Sequence, residues 1–306
     1  MASMEQKSKV LVIGALGYIG KYIAIASVKL GHPTLVLLPS FRSADPVENE
    51  IIESFEKQGV TLFKGDIYNH SRLVKAIHAV DVVISADGGD QTRTIAAIKE
   101  RFILVGVPID VDMTHAALQP AEMKLQRWRE IRRFVEQSGV PYTFVVNHIL
   151  AGRFFGRSNS QQFRLSLPLK IPLCGTGNTK VAVSVEKDVG MYTILAAHDS
   201  RTWNKTLYIR PPGNVISLDE LVSLWESKTG RSVSSHKRNY LSERDLLQRY
   251  QEAQPEKKNE LALLHSAFIR GDQTNFQIDL SVGVEASQLY PRVNYTTMNE
   301  YLNRFL

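Results

Sequence analysis

Gly14, Gly17 and Gly20 stand three residues apart, directly after the apolar run Val10-Leu11-Val12-Ile13. Such a pattern joins a strand to a helix through a tight turn. Glycine lets the backbone come close to a ligand, and a helix N-terminus offers free N–H groups and the positive end of a dipole. The chemistry this suits is the binding of a diphosphate. Gly14, Ala15, Leu16, Gly17, Tyr18, Ile19 and Gly20 are therefore candidate dinucleotide-binding residues, spaced G-x-x-G-x-x-G as in extended reductases rather than two-domain dehydrogenases. Two histidines are candidates for work near the substrate. His148 follows the sixth strand, where an imidazole could exchange protons near neutral pH; a hydrogen-bonded structural histidine is the alternative. His115 lies in the loop before the longest helix and could face the same pocket.

The elements that must position these residues alternate regularly over the first half. Strands are predicted at Val10–Ile13, Thr34–Leu38, Val60–Phe63, Val80–Ser85, Phe102–Val107 and Tyr142–Val146. Helices are predicted at Tyr22–Leu30, Glu48–Gln58, Ser71–Ala79, Thr92–Lys99 and Pro120–Gln137. Continuous apolar strands separated by helices make a doubly wound parallel sheet, an α/β Rossmann-type fold. Right-handed crossovers then place a ligand beyond the strand ends near the first and fourth strands, beside Ala86 and Asp87. The rhythm breaks near residue 150. The reading is an NAD(P)-binding core over 1–150 and a smaller, mainly substrate-binding region over 151–306, with parts returning to the core. Later helices are expected at Ser217–Thr229, capped by Ser217 with Glu220, at Glu243–Gln251, and from Thr296 onward.

Composition narrows the class. The 306 residues are 43 % hydrophobic and 22 % charged, which is globular. No apolar run reaches the ~20 residues of a membrane span, and Met1–Ser8 carry no signal core, so the expectation is a cytoplasmic protein with no membrane partner. Cys174 is the only cysteine, which excludes disulfide frameworks and cysteine metal clusters. The net charge of +6 comes from scattered basic residues with no recognition motif, so no nucleic-acid partner is expected. The eight histidines have no metal spacing, and neither Tyr-x-x-x-Lys nor Gly-x-Ser-x-Gly occurs.

Several segments together carry a resemblance. They are Lys7–Lys21, Asp81–Ser85, Ile131-Arg132-Arg133, Gly139–Thr143, Arg201–Tyr208, Gly271–Phe276 and Gly283–Pro291. Over nearly the whole chain the sequence resembles the plant reductases of pinoresinol and lariciresinol, isoflavones and phenylcoumaran benzylic ethers. These are isoflavone reductase-like, NmrA-like atypical short-chain reductases, with eugenol synthase as a relative. The resemblance implies NADPH, a small aromatic phenolic substrate and hydride transfer; a homodimer is open.

The chain departs from that family where chemistry is expected. The family reads the NADPH 2′-phosphate with an arginine after the second strand and a lysine soon after. Pro39 holds the arginine position here, and the lysine region reads Glu48-Asn49-Glu50. Arg42 is the candidate replacement, with NADH open as the coenzyme and a solvated loop charge as the alternative. The family's acid/base lysine precedes Ile131-Arg132-Arg133 by three residues, where this chain has Trp128. Lys124, one turn earlier, is the candidate substitute, and an exposed helix lysine is the alternative. Trp128 is expected either as a flat wall against an aromatic substrate or as packed core. The polar segment after the fifth strand is replaced by Leu104-Val105-Gly106-Val107-Pro108, which brings Val107 to the expected substrate pocket. The Gly88-Gly89-Asp90-Gln91 loop is shortened. Three functions stay open: a reductase of a specialised phenylpropanoid, a non-reductive cyclase, isomerase or lyase with a vestigial cofactor site, and a non-catalytic sensor.

Overall fold

The computed structural model describes residues 7–87, 91–98, 100–114, 117–155, 172–230 and 240–306. His115, Lys99, Gly88-Gly89-Asp90 and most of the basic stretch after residue 158 lie outside the described residues.

Eleven strands are described: β1 (Val10–Ile13), β2 (Thr34–Leu38), β3 (Thr61–Lys64), β4 (Val82–Ser85), β5 (Phe102–Val107), β6 (Tyr142–Val146), β7 (Ile149–Leu150), β8 (Lys180–Ser184), β9 (Lys205–Tyr208), β10 (Val215–Ser217) and β11 (Gly283–Glu285). Eight of them make one sheet in the order β11-β9-β6-β5-β4-β1-β2-β3, with every pairing parallel. The strand order reverses at β1, so the notch between the ends of β1 and β4 is the switch point where such sheets bind ligands.

Both faces of the sheet are covered. Val10 and Val12 point to one side, against α1 (Gly20–Lys29), α2 (Pro46–Lys57) and, from the second half of the chain, α7 (Glu186–Ala197). Leu11 and Ile13 point to the other, against α3 (His70–Ile77), α4 (Thr92–Ala97) and α5 (Ala121–Gln137). The alternation follows from the two-residue period of a strand. Each of these buried side chains contributes about 1.5–3 kcal/mol, which fixes the turn that follows β1 to a rigid base.

A second core lies beyond β6. Strands β10, β8 and β7 form a small sheet. Around it pack α6 (Ala151–Phe154), α8 (Leu218–Thr229), α9 (Glu243–Glu252), α10 (Pro255–Leu264), a π-helical turn at His265–Arg270 and, after α11 (Ala286–Leu289), α12 (Met298–Leu302). Phe154, Phe155, Trp225, Phe268 and Leu302 are buried there.

Local signals mostly set the boundaries. Ser217 and Glu220 form the expected capping box of α8, and Thr297 with Glu300 caps α12 the same way. The third helix differs. It starts at His70, because Asn69 Oδ1 accepts the Arg72 N–H at 3.2 Å, while the Ser71 hydroxyl donates to that same Oδ1. The fourth strand begins at Val82 rather than Val80: His78 and Ala79 form the turn that ends α3, and the chain bends at Asp81 before pairing starts.

Candidate active site

The glycine turn sits at the switch point. Gly14 has φ +79°, and a Cβ placed on it would lie 2.9 Å from the Asp87 amide nitrogen. Ala86 N–H donates to the Ile13 carbonyl at 3.0 Å. Gly14, Ala86 and Asp87 therefore meet in one notch between β1 and β4. A Cβ on Gly20 would fall 2.1 Å from the Gly14 carbonyl oxygen, so the helix presses directly on the turn. α1 has no side-chain cap and no acid in its first turn. By contrast, Asp45, Asn69, Ser217 and Ser242 cap α2, α3, α8 and α9. Uncapped first-turn amides with Lys21 beside them suit an anion. The residues present thus fit a dinucleotide diphosphate.

The turn is fastened to the second half of the chain. Tyr18 Oη donates to Glu186 Oε1 at 2.6 Å, and Gly152 N–H donates to the same oxygen at 2.8 Å. Burial and the Glu186 carboxylate together hold the Tyr18 phenol above its usual range, so it stays a donor. Arg153, next to Gly152, stacks its guanidinium 4.6 Å from the Tyr18 ring centroid. A cation therefore stands beside the glycine turn on an element that sequence proximity does not connect to it.

Arg153 also lines a cavity of about 310 Å³ at the ends of β5 and β6. Its walls are mostly apolar, with Phe154, Leu264, Ala267 and Phe268 from the second core, and Gly106 and Pro108 from the first half. Gly106 interrupts the β5–β6 register, which shifts between Val105 and Val107. Polar groups enter from Asn147, His148 and Gln273. Gln273 is fixed: it accepts from Ala182 N–H at 3.2 Å and donates to the Pro108 carbonyl at 3.0 Å. Burial, reinforced by the positive charge of Arg210, pushes the His148 imidazole down to about 3, so it is neutral in the folded chain. Arg153 thus lines the cavity that holds His148 and also stacks on Tyr18 of the glycine turn, while Gly152 shares the Glu186 oxygen with Tyr18.

A sequence model of the NmrA-like family matches residues 6–302. This chain belongs to the NmrA-like family. It is 46 % identical over 312 residues to a phenylcoumaran benzylic ether reductase, Pyrc5, of Pyrus communis, covering 99 % of this chain and all of that one. A crystal structure of isoflavone reductase superposes with a TM-score of 0.86 at 37 % identity, covering 98 % of this chain and 100 % of the other. The leucoanthocyanidin reductase of Vitis vinifera, in binary complex with NADPH, gives a TM-score of 0.81 at 29 % identity, covering 97 % and 99 %.

Against that NmrA-like background, α5 places its two singular residues outside the cavity lining. Lys124 is exposed. Trp128 is half-buried and wedged between two apolar clusters, one of them Val107, Val111, Ala117 and Leu125. Val107 is buried in that small cluster instead of facing the cavity. The loop between β5 and α5 is held by ion pairs. Arg132, buried with Asp110, donates to it at 2.6 Å and to Asp112 at 2.7 Å. Tyr208 donates to the other Asp110 oxygen. Burial alone would raise the Asp110 carboxyl; the Arg132 guanidinium and the Tyr208 hydroxyl outweigh it and hold it below its usual range.

Arg42 is exposed in the loop after β2. Asn49 locks that loop by accepting Ser43 N–H at 2.9 Å and donating to the Ser43 carbonyl at 2.7 Å. Sequence reasoning missed Glu186, Gly152, Arg153 and Asn147. Glu186 reads locally as an acid in a helix first turn, a common dipole partner; only Asn147, adjacent to His148 at a strand end, carried a usable signal. Among the described residues no group of three His, Cys, Asp or Glu is arranged to hold a metal ion, and no helix is long and apolar enough to cross a membrane.

Proposed function

We propose that this chain is an NADPH-dependent reductase of an aromatic, phenylpropanoid-type metabolite. The observation that carries the reading is that Arg153 lines the apolar cavity and stacks on Tyr18 of the uncapped glycine turn, which Glu186 ties to the neighbouring Gly152. In this reading the Gly14–Gly20 turn and the uncapped first-turn amides of α1, with Lys21 and Arg153, hold the diphosphate. Ala86 and Asp87 flank the nicotinamide side, and Arg42 reaches the 2′-phosphate. The coenzyme supplies a hydride when bound. The chain's own part is to hold that coenzyme and an aromatic ring in fixed relation and to keep water out with Phe154, Phe268 and Leu264. The NADPH complex of the related leucoanthocyanidin reductase supports the choice of coenzyme.

The test is a titration with NADPH and NADH followed by nicotinamide fluorescence. Micromolar NADPH binding supports the reading, and failure to bind either coenzyme at millimolar concentration removes it. A second reading, a non-reductive enzyme on the same scaffold, is favoured by one observation: the position of the family's lysine is filled by Trp128, packed between apolar clusters. Turnover with NADPH deuterated at C4 separates the two, since only the reductase carries deuterium into product.

A further inference from the structure

The apolar cavity ends in two polar residues that keep unpartnered side-chain atoms among the described residues. His148 is 1 % exposed and Asn147 is 3 % exposed, and both line the cavity. Among the described residues, neither ring nitrogen of His148 has a hydrogen-bond partner, and neither does Asn147 Oδ1. Asn147 uses only its amide nitrogen, which donates to the His148 carbonyl at 3.2 Å. Native structures keep few such orphans, because a buried polar atom without a partner is costly. The backbone is unusual at the same point. His148 has φ +52°, in the left-handed region that only a few per cent of non-glycine residues occupy, Asn, Asp and His more often than others. Its position is enforced by the strand end, where Asn147 N–H donates to the Val107 carbonyl at 3.3 Å. Strain of this kind persists where surrounding structure holds it, and it collects at ligand sites.

The charge state defines what the pair can bind. Arg210 and Asp110 are the charged groups that act on His148, and burial keeps the imidazole neutral. A neutral imidazole presents one N–H donor and one lone pair, and Asn147 adds an amide acceptor. We propose that His148 and Asn147 are the polar anchor of the cavity, taking a hydroxyl or carbonyl oxygen on a ligand whose aromatic ring lies among Phe154, Leu264 and Phe268. This rests on the reductase reading only in taking the cavity to be the substrate site. The anchor makes the oxygen a determinant of specificity. A site with buried polar groups rejects an analogue that lacks their partner far more strongly than an apolar site separates two analogues by size.

The experiment compares two probes of equal shape, 4-propylphenol and 4-propyltoluene, binding to the full chain by calorimetry. An apolar cavity alone would favour the toluene. The anchor predicts that the phenol binds at least tenfold more tightly. His148→Gly, which accepts the left-handed backbone, is expected to reduce that ratio to threefold or less. Should the glycine variant fail to fold, His148→Asn tolerates the same backbone and, with its shorter amide, is expected to cut the ratio at least threefold. Equal binding of both probes to the wild type, or an undiminished ratio in the variants, overturns the proposal. Wild-type protein that prefers the phenol yet ignores NADPH supports the anchor and sinks the reductase reading, so the two failures are distinct.

Discussion

Tyr18 and Glu186, 168 positions apart, share a 2.6 Å hydrogen bond whose acceptor oxygen also takes the Gly152 amide. One carboxylate thereby holds the glycine turn in fixed relation to Gly152, whose neighbour Arg153 lines the cavity. Glu186 is buried, so loss of either donor leaves it under-satisfied. Tyr18→Phe is expected to cost about 1–3 kcal/mol. A thermal melt should fall by several degrees, and NADPH binding should weaken with it. A variant that melts like the wild type would show that the bond holds nothing.

Gly20 and Gly17 should differ sharply. A methyl group on Gly20 meets the Gly14 carbonyl oxygen at 2.1 Å; on Gly17 it meets the same oxygen at 3.0 Å. Gly20→Ala must move the helix away from the turn, costing about 1–3 kcal/mol or more. Gly17→Ala needs a shift of only a few tenths of an ångström. Denaturant midpoints should rank Gly20→Ala well below Gly17→Ala.

Arg132→Ala leaves Asp110 as a buried carboxylate with only Tyr208 and the Asp112 N–H for company. Breaking a buried pair from one side costs about 3–5 kcal/mol. Urea unfolding should show it, and the double variant Arg132→Met with Asp110→Asn should recover much of the loss. Recovery would fail if the pair mattered only through Asp112.

Acid should destabilise the protein in two stages. His148 is held down to about 3 when folded, against about 6.5 for a free imidazole. Between those values the unfolded chain binds the extra proton, so stability falls as pH drops below about 6.5. Asp110, lowered by Arg132, adds stability above the ordinary aspartate range that is lost at still lower pH. Chemical denaturation of wild type and His148→Asn across pH 4–7 should show a shallower slope in the variant.

Arg42 and Arg153 should separate by coenzyme. Arg42→Gln is expected to weaken NADPH about tenfold and NADH little, as loss of a charge-assisted contact to the 2′-phosphate requires. Arg153→Gln should weaken both coenzymes alike, since both carry the diphosphate. Fluorescence titration of the two variants with both coenzymes measures the contrast. Equal losses in Arg42→Gln would return that residue to the solvated loop.

The sheet and its switch point were legible because their signals are local. Val10–Ile13 is a continuous apolar run, the glycines follow at once, and Ser217 with Glu220 spells a cap in four residues. The third helix start was less so: Asn69 and Ser71 are both good caps, and periodicity cannot choose between them. Of the cavity lining, His148 and the Gly106–Pro108 turn were legible, and the walls from the second half of the chain were not. Arg153 and Glu186 meet Tyr18 across more than a hundred residues, and no spacing rule records such a meeting. Resemblance drew attention to Trp128 and Lys124, whereas the space itself opened around His148, one strand away.

Strand β6 finds its outer neighbour, β9, only at Lys205–Tyr208, and the apolar side of α1 is covered by α7. A nascent chain that has emerged only through β6 therefore presents a bare strand edge and an uncovered helix. Such surfaces invite pairing with other chains. Truncated products ending near residue 150 should therefore need lasting chaperone protection, and in the growing chain the bare edge passes from β6 to β9 until β11 pairs with it.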